Sequence, residues 1–272
     1  MFDTHTTAYL QRFFYELSRA RESALLLDYD GTLAPFHVDR DKAVPYPGIA
    51  MLLTEIMNTG HSRVVVVSGR TAKEVVSLLG VVPHPEIWGV HGLQRLNPDG
   101  TCETTPLDET ATRAFAEADL WLAAMGLQNL AEHKPGALAV HWRGLPAGQQ
   151  SEIRHTVSLG WLAIAYRASM ALQQFDGGLE MRIAMRDKGD AARAVLRELV
   201  PDAPVAYLGD DETDEDAFRA LGDRGLRVLV RPEWRKTDAD VWLRPPGELQ
   251  VFLCDWLEAC QSARRHRLRH AC

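Results

Sequence analysis

Three short apolar runs stop abruptly at polar or glycine-containing sequence: Ala24–Leu27 before Asp28, Val64–Val67 before Ser68, and Val205–Leu208 before Gly209. Unbroken apolar runs of this length suit strands of a parallel sheet buried on both faces. Helical patterns lie between them. Residues 49–59 carry Ile49, Leu52, Leu53 and Ile56 on one face and stop at Gly60. Thr71 and Glu74 have capping-box spacing and open a helix ending at Gly80. A third helical run, from about Gly189 to Val200, stops before Pro201. This alternation predicts an α/β fold with a doubly wound, mostly parallel sheet.

Residues 105–183 have a different texture. They predict a helix over Glu109–Met125, a strand over Ala137–Trp142 and a helix over Gly148–Ser158. Strands are expected over Trp161–Tyr166, over 171–175 and, after the Gly177-Gly178 turn, over Glu180–Ile183. The expected organisation is therefore a core of residues 1–104 and 184–272 with a smaller inserted α+β domain, 105–183. Just before the insert, Asn97-Pro98-Asp99-Gly100 is a turn signal that predicts a hairpin.

The chain has 272 residues, which suits one or two domains at roughly 150 residues each. With 37 acidic against 30 basic side chains its formal charge is −7, which argues against nucleic acid as a partner. The same balance makes an anionic small substrate unexpected at first sight. The N-terminus lacks a signal-peptide pattern and no window reaches the ~18 unbroken apolar residues of a membrane helix. A soluble, cytoplasmic, monomeric protein is expected. Cys254 and Cys260 are expected as buried thiols, Cys102 and Cys272 show no metal-ligand spacing, and the basic C-terminal residues read as a solvated tail.

Ligands of open α/β sheets collect at the carboxyl ends of the strands, where the three polar constellations fall. Asp28 and Asp30, two residues apart, cannot both ionise cheaply without a cation or hydrogen-bond donors nearby. Ser68-Gly69-Arg70-Thr71 leads into a helix N-terminus, a ready anion site. As ordinary structure, Ser68 would be a cap and Arg70 a surface ion pair of small worth. In residues 210–216 six of seven side chains are acidic, with Thr213 and Asp216 at capping-box spacing. A helix dipole worth ~0.3–1 kcal/mol per charge does not account for so many. A divalent cation does, and a carboxylate-only set points to Mg²⁺. Lys188 adds a compact positive charge. Together these residues describe phosphoryl transfer, with Asp28 as nucleophile, Asp30 as general acid and base, and Mg²⁺ neutralising the reacting anions.

DYDGTLAPF (28–36), VVSGR (66–70), Lys188 and GDDETDEDAF (209–218) resemble the four motifs of the haloacid dehalogenase superfamily, and most nearly those of the trehalose-6-phosphate phosphatase family. WGVHGLQ (88–94), EHK (132–134), VHWR (140–143) and LEMRI (179–183) extend the similarity over roughly residues 24–257. The resemblance implies a haloacid dehalogenase-like core with an inserted cap domain over the sugar. It implies Mg²⁺ bound by Asp28, the Asp30 carbonyl and Asp210, with Asp211 or Asp214 assisting. Phosphate would be held by Ser68, Gly69 and Lys188, and the sugar by Glu132, Lys134, Arg143 and Glu180. His91 and His141 read as ordinary hydrogen-bonded histidines. Gln94 departs from the Glu expected after HGL in this family.

The implied activity is Mg²⁺-dependent hydrolysis of trehalose 6-phosphate through an aspartyl-phosphate, in trehalose biosynthesis beside a separate trehalose-phosphate synthase. Three other readings stay open. One is a phosphatase for another phosphorylated glycoside, such as sucrose phosphate or mannosyl-phosphoglycerate. Another is a phosphate-sensing module whose aspartate is modified without turnover. The third is a catalytically idle partner of a trehalose-making enzyme.

Overall fold

A computed structural model describes residues 4–37, 39–175, 177–183 and 187–270. Cys272 and residue 184, at the expected domain boundary, lie outside them. The chain divides into two compact units, Met1–Glu103 with Asp187–Cys272, and Thr104–Arg186.

The first unit is built on an eight-stranded sheet. Its strands are β1 (Ser23–Asp28), β2 (Ser62–Val67), β3 (Glu86–Gly89), β4 (Gln94–Leu96), β5 (Cys102–Thr104), β10 (Val205–Gly209), β11 (Leu226–Val230) and β12 (Val241–Leu243). Their order is β12-β11-β10-β1-β2-β3-β4-β5. The pairs from β12 to β3 are parallel, and β4 runs antiparallel to β3. The Asn97–Gly100 turn joins β4 to β5, with the Asn97 N–H on the Thr101 carbonyl at 2.8 Å.

Alternate residues of each apolar run serve opposite faces, as the two-residue strand period requires. Leu25, Leu27, Val64, Val66, Ala206 and Leu208 pack with α1 (Thr4–Leu17), α2 (Ile49–Asn58), α3 (Ala72–Leu79) and α8 (Gly247–His270). Ala24, Leu26, Val65, Val67, Val205 and Tyr207 pack with α6 (Lys188–Glu198) and α7 (Glu215–Leu221). Helices therefore cover both faces of a mostly parallel sheet. The expected Thr71/Glu74 capping box is formed at the start of α3, and Gly80 closes that helix in the left-handed region. The acidic run caps differently from its expected spacing: the reciprocal box joins Asp211 and Asp214, while Thr213 and Asp216 form none.

The second unit has a four-stranded antiparallel sheet, β6 (Ala131–Lys134), β7 (Ala137–His141), β9 (Gly178–Ile183) and β8 (Met170–Phe175), in that order. Leu138, Val140, Leu179 and Met181 turn one face of it onto α4 (Glu109–Ala124) and α5 (Ala147–Arg167). The strand expected over Trp161–Tyr166 is instead the second half of α5, a helix of 21 residues. Val157, Trp161, Ile164 and Ala165 recur at helical spacing and all face the apolar core. Gly160, which looks like a helix stop, is a packing residue. A Cβ there would sit 2.1 Å from the Trp121 ring, so the two helices approach closely only because none exists.

Cys260 is buried as expected, and burial pushes its thiol up to about 12. Cys254 is exposed: it lies on the outer face of α8, so the apolar texture around it belongs to its neighbours. The helical backbone of α8 continues through most of the basic tail, with Arg264 and Arg265 exposed. No described helix is long and apolar enough to cross a membrane.

Candidate active site

Central strands deliver the acidic residues to one edge of the sheet. β1 ends at Asp28 and β10 ends at Gly209, and the two strands are hydrogen-bonded neighbours, so Asp28 and Asp210 leave the sheet side by side. Gly31 makes this closeness tolerable. Its φ is +86°, and a Cβ there would lie 2.2 Å from Asp210 Oδ2. No other residue type fits without moving that carboxylate.

Asp28, Asp210 and Asp214 are buried and each brings one carboxylate oxygen within 4.8 Å of the others. Lys188, at the start of α6, donates to Asp28 Oδ1 at 2.6 Å and to Asp214 Oδ1 at 2.7 Å. Asp214 Oδ1 also accepts from the Tyr207 hydroxyl at 2.7 Å, and its Oδ2 from the Asp210 and Asp211 N–H groups at 3.0 Å each. Four donors use the full acceptor capacity of one carboxylate. By contrast Asp28 Oδ2 and Asp210 Oδ1 are buried with no hydrogen-bond partner among the described residues.

Burial pushes the Asp28 carboxyl up to about 7; Lys188 pulls it down, and the charge of Asp214 adds to the rise. Burial, with Asp28 and Asp214 beside it, pushes Asp210 up to about 9. Lys188 is held firmly protonated by its two carboxylate partners, which outweigh its own desolvation. Two orphaned, buried oxygens on carboxylates that resist ionisation are what a bound cation would relieve. The residues fit a hard divalent ion with oxygen ligands. Asp211 is exposed, and its Oδ1 accepts the Glu212 N–H, which caps the following turn.

Asp30 points elsewhere. Arg70 donates Nε to its Oδ2 and Nη2 to its Oδ1, each at 2.7 Å. This bidentate pair contradicts the expectation of a surface ion pair at Arg70, whose side chain is only 2% exposed and whose guanidinium carbon lies 5.7 Å from the Tyr29 ring centre. Sequence reading undervalued Arg70 because a single arginine in a turn carries no sign of burial; its partner is 40 residues away.

The Ser68–Thr71 turn is less open to anions than a bare helix N-terminus. The Ser68 N–H binds the Trp88 carbonyl, Arg70 N–H binds Ser68 Oγ, Thr71 N–H binds Glu74 and Ala72 N–H binds Gln94 Oε1. Within this turn, among the described residues, the Ser68 hydroxyl, the Gly69 N–H and the buried Nη1 of Arg70 have no acceptor. Gln94 thus fills its place with a neutral acceptor. Val90 and His91, in the left-handed region at φ of 50° and 53°, are tied to this turn through N–H bonds to the Arg70 and Ser68 carbonyls. A β-branched residue there is uncommon and marks a locally strained turn.

In the second unit, the pairing register puts Glu132, Ala139 and Glu180 in one row across the sheet. Lys134 lies 3.2 Å from Glu180 and 3.4 Å from Glu132, and Glu132 also meets His141 Nε2 at 2.6 Å. His141 therefore joins the charged face that three of the expected sugar-contacting residues form. Arg143 is exposed in the turn beyond β7, against Gly177.

Residues 26–240 match the family model described as trehalose-phosphatase. The trehalose-phosphate phosphatase of Mycobacterium marinum is 32% identical over 245 residues, covering 84% of this chain and 60% of the relative. The chain thus spans about three fifths of that curated relative's length. Among solved structures, the C-terminal domain of a Candida albicans trehalose-6-phosphate phosphatase aligns with a TM-score of 0.70 at 18% identity, over 93% of this chain and 96% of the other. A Bacteroides thetaiotaomicron protein described among phosphatases of the haloalkanoate (HAD) enzyme superfamily aligns at 0.57 and 15%, over 86% and 95%. At these identities the structural matches speak for the fold alone.

Proposed function

The chain belongs to the trehalose-phosphatase family of the HAD superfamily, and from that membership we propose that it is a Mg²⁺-dependent phosphatase hydrolysing trehalose 6-phosphate. The supporting observation is the buried group of Asp28, Asp210, Asp214 and Lys188, with two carboxylate oxygens unpartnered among the described residues.

In this reading the Asp28 carboxylate attacks phosphorus in line. The ester P–O bond breaks, its electrons go to the leaving oxygen of the sugar, and Asp30 gives that oxygen a proton. Asp30 then takes a proton from water as the water attacks the aspartyl-phosphate, and Asp28 is regenerated as phosphate leaves. Ser68, Gly69 and Lys188 donate to the phosphoryl oxygens. Asp28, Asp210 and the Asp30 carbonyl would hold Mg²⁺, which when bound offsets the charge of the carboxylates and the phosphate. Asp214 holds Lys188 and the Asp210–Asp211 backbone, and Asp214 or Asp211 would assist at the cation directly or through water.

Glu132, Lys134, Arg143 and Glu180 are assigned to the sugar hydroxyls. Charged groups dedicated to hydroxyls disfavour any substrate that leaves them unpaired.

The test is phosphate release from trehalose 6-phosphate, sucrose 6-phosphate and mannosyl-phosphoglycerate by the purified chain. Trehalose 6-phosphate should give the highest kcat/KM, chelation should abolish release, and Asp28→Asn should lower it at least about a thousandfold. Preference for another ester would overturn the substrate assignment. Stoichiometric uptake of phosphate without turnover would favour a sensing module.

A further inference from the structure

The segment between β11 and β12 returns over the loop that follows β10. Arg235 in this segment donates Nε to the Asp210 carbonyl at 3.1 Å and Nη2 to the Asp211 carbonyl at 2.7 Å. Its Nη1 pairs with Glu215 Oε1 at 2.5 Å and donates to the Lys236 carbonyl at 2.9 Å. Arg231 Nη1 reaches the same Asp210 carbonyl at 3.4 Å. Glu215 is anchored in turn by the Thr237 hydroxyl at 2.7 Å and the Asp238 N–H at 2.9 Å. Both members of the Arg235–Glu215 pair are largely buried.

The two residues after β10 are thus fixed at both backbone ends. Their N–H groups bind Asp214 Oδ2, and their carbonyls bind the Arg235 fork. This determines where the Asp210 side chain leaves the backbone. The constraint matters because Asp210 is packed beside a second buried carboxyl, Asp28, and would relax away from it if its loop were loose. Glu215 cancels the guanidinium charge, so Arg235 acts on the site through geometry rather than through its field.

We propose that Arg235 is a positioning residue that sets the affinity of the Asp28–Asp210 pair for a divalent cation. The proposal rests on reading that pair as a cation site. Residues behind metal ligands typically change affinity by about 10–100-fold when replaced. The planar fork carries the effect, so a lysine, which keeps the charge and loses the fork, should not replace it.

The experiment measures Mn²⁺ binding to the full chain by electron paramagnetic resonance, and Mg²⁺ binding by calorimetry. Wild type is compared with Arg235→Lys, Arg235→Met and, as a surface control on α7, Arg219→Ala. The expected result is an increase in Kd of about tenfold or more for both Arg235 variants and none for the control. The cation concentration needed to raise Tm should move by the same factor. Thr237→Val loosens the Glu215 anchor without touching the guanidinium; it should shift Kd less and in the same direction, which keeps the test open if Arg235→Met does not fold. Wild-type Kd in folded Arg235 variants, with only a lower cation-free Tm, would reduce Arg235 to a structural role and overturn the proposal. Wild type that binds neither cation would instead overturn the reading of the site itself.

Discussion

Asp30 sits two residues beyond Asp28, yet its carboxylate is locked in the plane of the Arg70 guanidinium by two 2.7 Å bonds. A bidentate pair fixes direction as well as distance, which proton transfer to and from Asp30 in the proposed mechanism would need. Hydrogen bonds to charged groups contribute about 1.5–3 kcal/mol, so losing the fork should cost the proton-transfer step roughly 10- to 150-fold. Arg70→Lys should therefore slow trehalose 6-phosphate turnover by that factor. It should slow the first-turnover release of p-nitrophenolate much less, because a phenolate leaves without protonation, whereas both esters share the aspartyl-phosphate hydrolysis in which Asp30 is the base. An equal loss of the first phosphoryl transfer from both esters, measured in variants with unchanged Tm, would contradict Asp30 acting as acid through this pair. The Asp30–Arg70 pair was not legible in the sequence, where Asp30 and Arg70 stood in separate motifs and arginine exposure had to be guessed. The Asp28, Lys188 and Asp210 grouping was legible, because each residue follows or opens an element whose ends periodicity and glycine mark.

Among elements, the strands of the large sheet were the most readable, since a run apolar on both faces has few other uses in a chain of this polarity. α5 was the least readable. Its second half is apolar on two sides: Trp161 and Ile164 enter the core while Leu159, Leu162 and Tyr166 are exposed. Periodicity alone cannot separate such a run from a strand. The packing role of Gly160 gives a test at this scale. Gly160→Ala places a methyl against the Trp121 ring, and overpacking of this kind costs about 1–3 kcal/mol. Thermal unfolding should show a lower Tm for Gly160→Ala, and Trp121→Leu introduced beside it should recover part of the loss. An unchanged Tm would mean that α4 and α5 are not held at this distance by the glycine.

For the molecule as a whole, the −7 charge says little about which anions it accepts. Four of the six acids of residues 210–216 are spent locally: Asp214 on Lys188, Tyr207 and two backbone N–H groups, Asp211 on a turn, Glu215 on Arg235 and Asp216 on Arg219. In the proposed function, what faces an incoming phosphate would be set by Lys188, by the donors of the Ser68–Gly69 turn and by a cation held by Asp28 and Asp210. Of the residues proposed to contact the sugar, Glu132, Lys134 and Glu180 lie in the other unit on a sheet face whose charges pair with one another. The chemistry converges on Asp28, so the most direct measurement is acid quenching during turnover of trehalose 6-phosphate carrying radiolabelled phosphate, followed by peptide mapping. The label should be found on the peptide containing Asp28 and be absent from Asp28→Asn; steady turnover with no protein-bound label, or label on another residue, would contradict Asp28 as the nucleophile.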